Sequence, residues 1–373
     1  MARVSLILVT WNSAPFLPRC LEGIAQQSFN DIELIAVDNA SADDTLSILR
    51  GRFPAAIVIQ NATNDGFSRA VNQGVARAGG EFVLLLNPDA YLHADYVAKL
   101  VDAFERAGDT FGAASGKLMR AEGFAITPTD LVDSKGIRMT RSGRHFDIGQ
   151  GRPDGDDDRG ISECPVPSAQ FPVGGGTDSE QMVVGKDGFL GTGHWALGTP
   201  PGTGHQAPGT IYEVFGVSGA AAMFRMSFVR DVALADGQFL DEDFFSYRED
   251  ADVAWRGRLF GWRAMYVPDA LAWHVRTVTP KNRRQLPPSV NMHSVKNRFL
   301  MRVKNEGLYL ALRNAPFEIA RDLVTIAAVL TIERTSLPAL SWLWRNHKRI
   351  HAKRHEIQRR RRVSDRTLAR WFS

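Results

Sequence analysis

The chain has 373 residues, 44% of them hydrophobic and 23% charged, enough for one large domain or two smaller ones, and this ordinary make-up by itself names no function. Its two cysteines, Cys20 and Cys164, sit in no CxxC or Cys/His cluster, which excludes a disulfide framework and a structural zinc site and fits a reducing, cytoplasmic setting. The net charge of +4 hides an asymmetry: residues 281–373 hold 21 Lys/Arg against 6 Asp/Glu, and residues 1–280 carry a net −11.

The apolar run 4–9 predicts a strand covered on both faces, and it is too short for a signal peptide. Asn12 or Ser13 is placed to cap a following helix, with Pro15 in its first turn and Leu17, Leu21 and Ile24 on one face. Residues 32–37 predict a second strand, 44–50 a short helix and 57–59 a third strand. Phe67, Val71 and Val75 mark another helix, stopped by Gly79-Gly80. Residues 82–86 predict a fourth strand. This alternation predicts a parallel α/β sheet with its ligand site at the carboxyl ends of the strands. The polar clusters fall there: Thr10-Trp11-Asn12, Asp38-Asn39, Asn64-Asp65-Gly66 and Asn87-Pro88-Asp89.

From about 119 to 212 the periodicity dissolves into Gly, Pro, Asp and Ser, which predicts a surface excursion. Residues 215–224 read as a strand, Ala251, Trp255 and Leu259 as one face of a helix, and 266–274 as a last strand. Beyond Pro280 the chain is basic and helical. The expected domains are therefore 1–280, with a Gly/Pro-rich insertion at about 160–211 that is dispensable for folding, and 281–373. No run of about 18 apolar residues is long enough to span a membrane.

Several of these residues suit one chemistry. Asp38 can accept the imide N–H of uracil or thymine, or simply cap a helix after a strand. Asn64 and Asn72 can line the same cleft, Asn72 one turn beyond Ser68 on the helix that opens at Phe67. Asp89, ending an apolar strand, can hold a divalent cation on a diphosphate or serve a turn. Asp250 follows Glu249 at a helix start, where neighbouring carboxylates raise one another's pKa and make a base, or where both complement the helix dipole. His274, on the opposite face of its strand from Leu271 and Trp273, can complete a site with Asp89 or be an ordinary hydrogen-bonded histidine.

The ordered series 9–12 (Val-Thr-Trp-Asn), 37–41 (Val-Asp-Asn-Ala-Ser), 64–67 (Asn-Asp-Gly-Phe), 84–89 (Leu-Leu-Leu-Asn-Pro-Asp), 239–250 and 255–262 closely resembles family 2 glycosyltransferases. It is most similar to the rhamnosyltransferase-like branch of bacterial polysaccharide assembly. The resemblance covers 4–118 and 213–280. It implies a GT-A fold, an inverting displacement on a nucleoside diphosphate sugar (dTDP- or UDP-linked) and a divalent metal, Mg²⁺ or Mn²⁺. It places Thr10, Asn12, Asp38, Asn39, Asn64, Gly66, Phe67, Asn72 and Asn87 around the donor, Asp89 and His274 on the metal and Asp250 as the base. Asn-Pro-Asp supplies one carboxylate where other members have Asp-x-Asp. Segments 133–136 and 143–147 also look familial.

Other readings are weaker. No GxGxxG follows the first strand and no Walker-type lysine loop is present, against a dinucleotide oxidoreductase or a nucleotidyltransferase. A catalytically inactive nucleotide-sugar-binding or scaffold module would be expected to lack Asp89 or Asp250. A basic tail without interleaved aromatics argues against nucleic acid. The expected partners are a saccharide or polyprenyl-linked acceptor and an anionic membrane surface, which the basic tail would hold from the cytoplasmic side.

Overall fold

The structure, a computed structural model, describes residues 2–155, 162–164, 209–276 and 287–373. The N-terminal half runs β1 (Val4–Thr10), α1 (Leu17–Ala25), β2 (Ile32–Asp38), α2 (Thr45–Arg52), β3 (Ile57–Gln60), α3 (Phe67–Val75) and β4 (Phe82–Leu86). There β1 pairs in parallel with β2 and β4, and β2 with β3. The alternation of β1 shows why it needed apolar residues throughout. Leu6 and Leu8 enter the core on one face of the sheet with Leu84 and Leu86, and Ile7 and Val9 enter the core on the other with Val83 and Leu85. Helix α3 lies close on the second face: a Cβ on Gly74 would sit 2.7 Å from Ile7.

Next come β5 (Ala90–Leu92), α4 (Tyr96–Ala107), β6 (Phe111–Glu122), β7 (Thr127–Ser134), β8 (Ile137–Met139), β9 (His145–Asp147), β10 (Ser162–Cys164), β11 (Ile211–Val214), β12 (Ala221–Arg225), α5 (Met226–Val232), α6 (Glu249–Leu259) and β13 (Arg263–His274). The main sheet runs β10-β11-β13-β6-β12-β4-β1-β2-β3, with β5 on β13 and β7 on β6. It is mixed, because β12 enters antiparallel between β4 and β6.

Several expectations are corrected. Regular structure persists through β6–β9, where Gly123, Gly136 and Gly143 sit at positive φ in the turns between the strands. Segment 215–224 splits, since 215–220 is a loop between β11 and β12. Helix α1 begins later than expected, with Pro18 in its first turn and no side-chain cap. Asn12 instead adopts a left-handed φ of 48°, and its Oδ1 accepts from the Ala42 amide at 2.8 Å. The insertion at about 160–211, expected to be dispensable for folding, lies almost entirely outside the described residues.

The C-terminal part is helical: α7 (Pro288–Asn305), α8 (Leu308–Thr331), α9 (Leu337–Arg345), α10 (His347–Arg360) and α11 (Asp365–Leu368). It shares a core with the sheet, since Leu300, Leu310, Ile357 and Phe372 join the cluster containing Ile7 and Trp255.

One irregularity aims the site. Strand β13 follows β6 in register to Val267↔Gly116 and resumes at Leu271↔Lys117, so residues 268–270 bulge out. The bulge needs Gly116, where an added Cβ would lie 1.9 Å from the Ala270 carbonyl oxygen. Beyond it β13 turns onto β5, pairing His274 with Ala90 and setting its imidazole beside Asp89.

Candidate active site

The polar residues predicted at the strand ends do converge, though several serve the loops more than the cleft. Asp38 is fully buried. Its Oδ1 accepts from the Thr10 hydroxyl at 2.9 Å and the Ser41 hydroxyl at 2.5 Å, and its Oδ2 from the Ser41 amide at 3.0 Å. Thr10 is buried with it, and the Asn39 amide donates to the Thr10 carbonyl at 2.8 Å. The side chain of Asn39 donates to the Gly66 carbonyl at 3.3 Å, joining the second strand's loop to the start of α3.

Asn64 Oδ1 accepts from the Gly66 amide at 3.0 Å, a local turn that sets up α3. Gly66 has φ 89°, and a Cβ there would strike the Phe245 ring at 2.6 Å. Phe67 is half-buried and packs on the core. Asn72 is engaged away from the strand ends. Its amide brackets Leu240, donating to the carbonyl at 2.8 Å and accepting from the N–H at 2.9 Å, so it joins α3 to the loop before α6. Asn87 is half-buried, and its amide donates to the Ala220 carbonyl at 2.9 Å, which ties the two loops together.

The chemistry concentrates at the other side of β4. His274 stands between two carboxylates, Nε2 3.3 Å from Asp89 Oδ1 and Nδ1 2.8 Å from Asp133 Oδ2. Burial alone would lower its pKa, but Asp89 and Asp133 outweigh burial and hold it up at about 10. Asp133 is in turn gripped by Arg276 at 2.6 Å, and Arg276 also reaches Asp147 at 2.7 Å. Burial opposes ionisation of Asp133, yet His274 and Arg276 keep its pKa well below the usual carboxylate range.

Asp250 lies at the N-terminus of α6. Its Oδ2 accepts from the Gly219 amide at 3.3 Å and its Oδ1 from Ala251 N at 2.7 Å. Burial, then the charge of Asp147, pushes its pKa up to about 6. Burial and the neighbouring Asp250 push Glu249 further, to about 8. Both carboxylates are pushed upward, and Asp250, the less shifted of the two, is the one that gives up its proton first and can serve as a base. The helix start and the β4 end meet at one loop, where the Gly219 amide donates to Asp250 at 3.3 Å and the next residue, Ala220, accepts from the Asn87 backbone N–H at 2.9 Å. Tyr247 lies nearby, and burial, then the charges of Glu249 and Asp89, raises its pKa.

Asp133, Asp147, Arg276 and Tyr247 escaped the site reading of the sequence. The signal was present for two of them, since segments 133–136 and 143–147 stood out as familial. Nothing local marks Arg276.

Asp89 and His274 could hold a divalent cation only if it displaced the proton that Asp89 and Asp133 favour on the imidazole. A carboxylate oxygen and an imidazole nitrogen meet at one point, and the second imidazole nitrogen is fixed by a carboxylate, the arrangement that orients a metal-binding histidine. Among the described residues no group of three or more His, Cys, Asp or Glu side chains is arranged to hold an ion. One carboxylate and one imidazole would suit Mn²⁺ better than Mg²⁺, with phosphate oxygens and water filling the remaining positions.

The loop that delivers Asp250 is strained. Phe245, Tyr247 and Arg248 have φ of 65°, 71° and 72°, left-handed values that cost a non-glycine residue about 1 kcal/mol or more each. Asn297 of α7, fully buried, offsets this: its amide nitrogen lies 3.0, 2.8 and 2.7 Å from the carbonyl oxygens of Phe244, Ser246 and Tyr247. Asn297→Ala strands these carbonyls. It is expected to lower turnover by roughly tenfold or more with donor affinity unchanged, because the base is misplaced but the donor pocket is not. Steady-state kinetics beside donor titration checks this, and equal losses in both would place Asn297 in general stability.

The comparisons agree with this architecture. Residues 5–143 match the profile of Glycosyl transferase family 2. A PGL/p-HBAD biosynthesis glycosyltransferase of Mycobacterium bovis (strain BCG / Pasteur 1173P2) is 39% identical over 100 residues, 26% of this chain. The chain spans 39% of the length of that relative. An N-acetylglucosaminyl-diphospho-decaprenol L-rhamnosyltransferase of Mycobacterium tuberculosis (strain CDC 1551 / Oshkosh) is 23% identical over 283 residues, 72% of this chain and 75% of the relative. Among solved structures, S. aureus TarS 1-349 in complex with UDP-GlcNAc is similar at a TM-score of 0.51 and 14% identity, covering 96% of this chain and 88% of that one. The similarity to glycosyl transferase family 2 thus lies in residues 5–143, and the mixed sheet that carries them has the GT-A fold.

Proposed function

We propose that the protein is an inverting, metal-dependent glycosyltransferase that moves a sugar, rhamnose in the first instance, from a dTDP- or UDP-linked donor to a saccharide or polyprenyl-linked saccharide acceptor. The observation that carries the proposal is the division of labour across one space. Asp250, held by the Gly219 amide, stands on one side, and on the other stands Asp89 with His274 fixed by Asp133. The acceptor hydroxyl gives its proton to Asp250 as its oxygen bonds to the anomeric carbon, and the bond to the diphosphate breaks on the opposite face. Asp89 and His274 would hold a divalent cation, whose positive charge would offset the charge of the diphosphate leaving group. Asp38 and the loops it organises hold the base and ribose. The relative acting as an L-rhamnosyltransferase, which aligns over most of the chain, favours rhamnose, and the TarS complex favours a nucleoside diphosphate. Such an acceptor places the enzyme at the inner face of the plasma membrane, in cell-envelope polysaccharide synthesis.

A panel of dTDP-rhamnose, UDP-hexoses and GDP-mannose, read by thermal unfolding with Mn²⁺ and again in excess EDTA, tests this directly. A donor at about 100-fold over its Kd adds about 2.7 kcal/mol of stability, which moves the melting temperature by several degrees. The expected result is protection by dTDP-rhamnose with metal, lost in EDTA, and turnover abolished by chelator and restored by Mg²⁺ or Mn²⁺. Full turnover in EDTA removes the metal from the mechanism. No protection by any nucleotide sugar removes the transfer itself.

A further inference from the structure

Helix α8 is built inside out. Its buried residues include Asn314 and Glu318, and the half-buried Asp322 continues that stripe at a spacing of four. Glu318 and Asp322 face α7, where Arg302 binds them at 2.7 Å each and Arg298 binds Asp322 at 2.8 Å. The outward stripe is apolar instead: Leu308, Leu312, Ile319 and Leu323 recur at helical spacing, and Leu312 and Leu323 are 69% and 63% exposed. A surface helix in water shows the reverse pattern.

The apolar face continues past the end of α8. Ile332 and Trp344 are each 76% exposed. Residues 308–331 and 334–345 bend by 107° relative to each other, and no single helix among the described residues is long and apolar enough to cross a membrane. Between these helices, α7 and α10 lies a groove of about 340 Å³ lined by Val303, Ile326, Leu343 and Trp344, among others. The three carboxylates between residues 308 and 345 are Glu318, Asp322 and Glu333. All are buried or half-buried, whereas Arg334, Arg345 and Lys348 are exposed.

We infer that the outward face of α8 and α9 lies in the plane of an anionic lipid bilayer, with its apolar side chains among the acyl chains and the three exposed cations at the headgroups. An apolar face alone would equally suit a second copy of this chain. The charge pattern decides for lipid: a cationic rim with every carboxylate turned inward complements an anionic leaflet and would repel its own copy. The basic run further along is a weaker anchor than its sequence suggests, because much of it is spent inside the molecule. Arg349 and Lys353 pair with Asp243, Lys353 also with Asp241, Arg361 with Asp365 and Arg362 with Asp231. Attachment therefore rests on apolar insertion more than on charge. The inference deepens the lipid-linked acceptor of the proposed function, since it brings the site to the surface where such an acceptor resides.

Flotation with vesicles of phosphatidylcholine and phosphatidylglycerol tests it without any donor, so its failure is separable from failure of the catalytic reading. The full-length protein should float with the vesicles, and at least half should remain bound at 1 M NaCl, a salt level that screens charges beyond about 3 Å. The double variant Leu323→Glu/Ile332→Glu alters only exposed side chains. It should lose flotation by tenfold or more while melting at the wild-type temperature. Wild-type protein left in the aqueous fraction, complete release by salt, or flotation of the double variant would each overturn the inference. So would a dimer by light scattering that the double variant converts to monomer.

Discussion

Asp250→Asn will lower turnover by roughly 10²–10⁴-fold with donor affinity preserved, because a general base acts only in the transition state. The substitution keeps the shape that accepts from the Gly219 amide at 3.3 Å, so loss of the base is the main change. The wild-type pH profile should support the same assignment. A base whose pKa is raised to about 6 is protonated below that value, so kcat should fall as pH drops through about 6 and level off above it. Had the carboxylate kept its ordinary pKa, the fall would come about two units lower. Steady-state rates between pH 5 and 8.5 beside donor titration of the variant supply both readouts. Near-normal turnover in Asp250→Asn would remove this residue from the mechanism.

The second large effect is on stability and lies at Lys304. This lysine of α7 is completely buried with Asp241 and Asp252. It binds Asp241 directly, lies 3.1 Å from Asp252 Oδ1, and sits 4.7 Å from the Phe244 ring. Burial opposes ionisation of Asp241, and Lys304 and then Lys353 reverse that and hold its pKa below the usual range. Asp252 is also held by Arg256 at 3.0 Å and Asn305 at 2.7 Å. Lys304→Met keeps the volume and removes the charge, leaving two buried carboxylates undercompensated. Breaking a buried pair from one side typically costs about 3–5 kcal/mol. The expected outcome is a loss of that size in urea unfolding, with a matching fall in midpoint and an unchanged slope. A loss below about 1 kcal/mol would show that Lys353, Arg256 and Asn305 suffice without it.

That network also explains the charge asymmetry. The sequence reading assigned the basic end to an outside anion. The structure spends part of it on the acidic loop 241–243 and on Asp231, which the chain carries about a hundred residues earlier. Charge counted along a sequence cannot tell an intramolecular partner from an external one, because pairing depends on which helices meet.

The sequence by itself determined the N-terminal sheet. A strand buried on both faces must be apolar at every position, so 4–9 and 82–86 announced themselves, and the strand-end polar residues Thr10, Asp38 and Asp89 fell where a ligand site belongs. It also placed Asp250 in the first turn of a helix, where two adjacent acids complement the helix dipole. What only the tertiary structure decided depends on contacts distant in the chain. His274 became a partner of Asp89 because a bulge permitted by Gly116 turns β13 onto β5. Asp133, Asp147 and Arg276 joined the site through ion pairs spanning more than a hundred residues. The hydrogen bonds of Asn72 to the Leu240 backbone, 168 residues away, were likewise beyond the reach of the sequence. The outward apolar face of α8 followed the same logic: its sequence contains both an apolar and a polar stripe, and only packing against the α7 arginines decided which one turned inward.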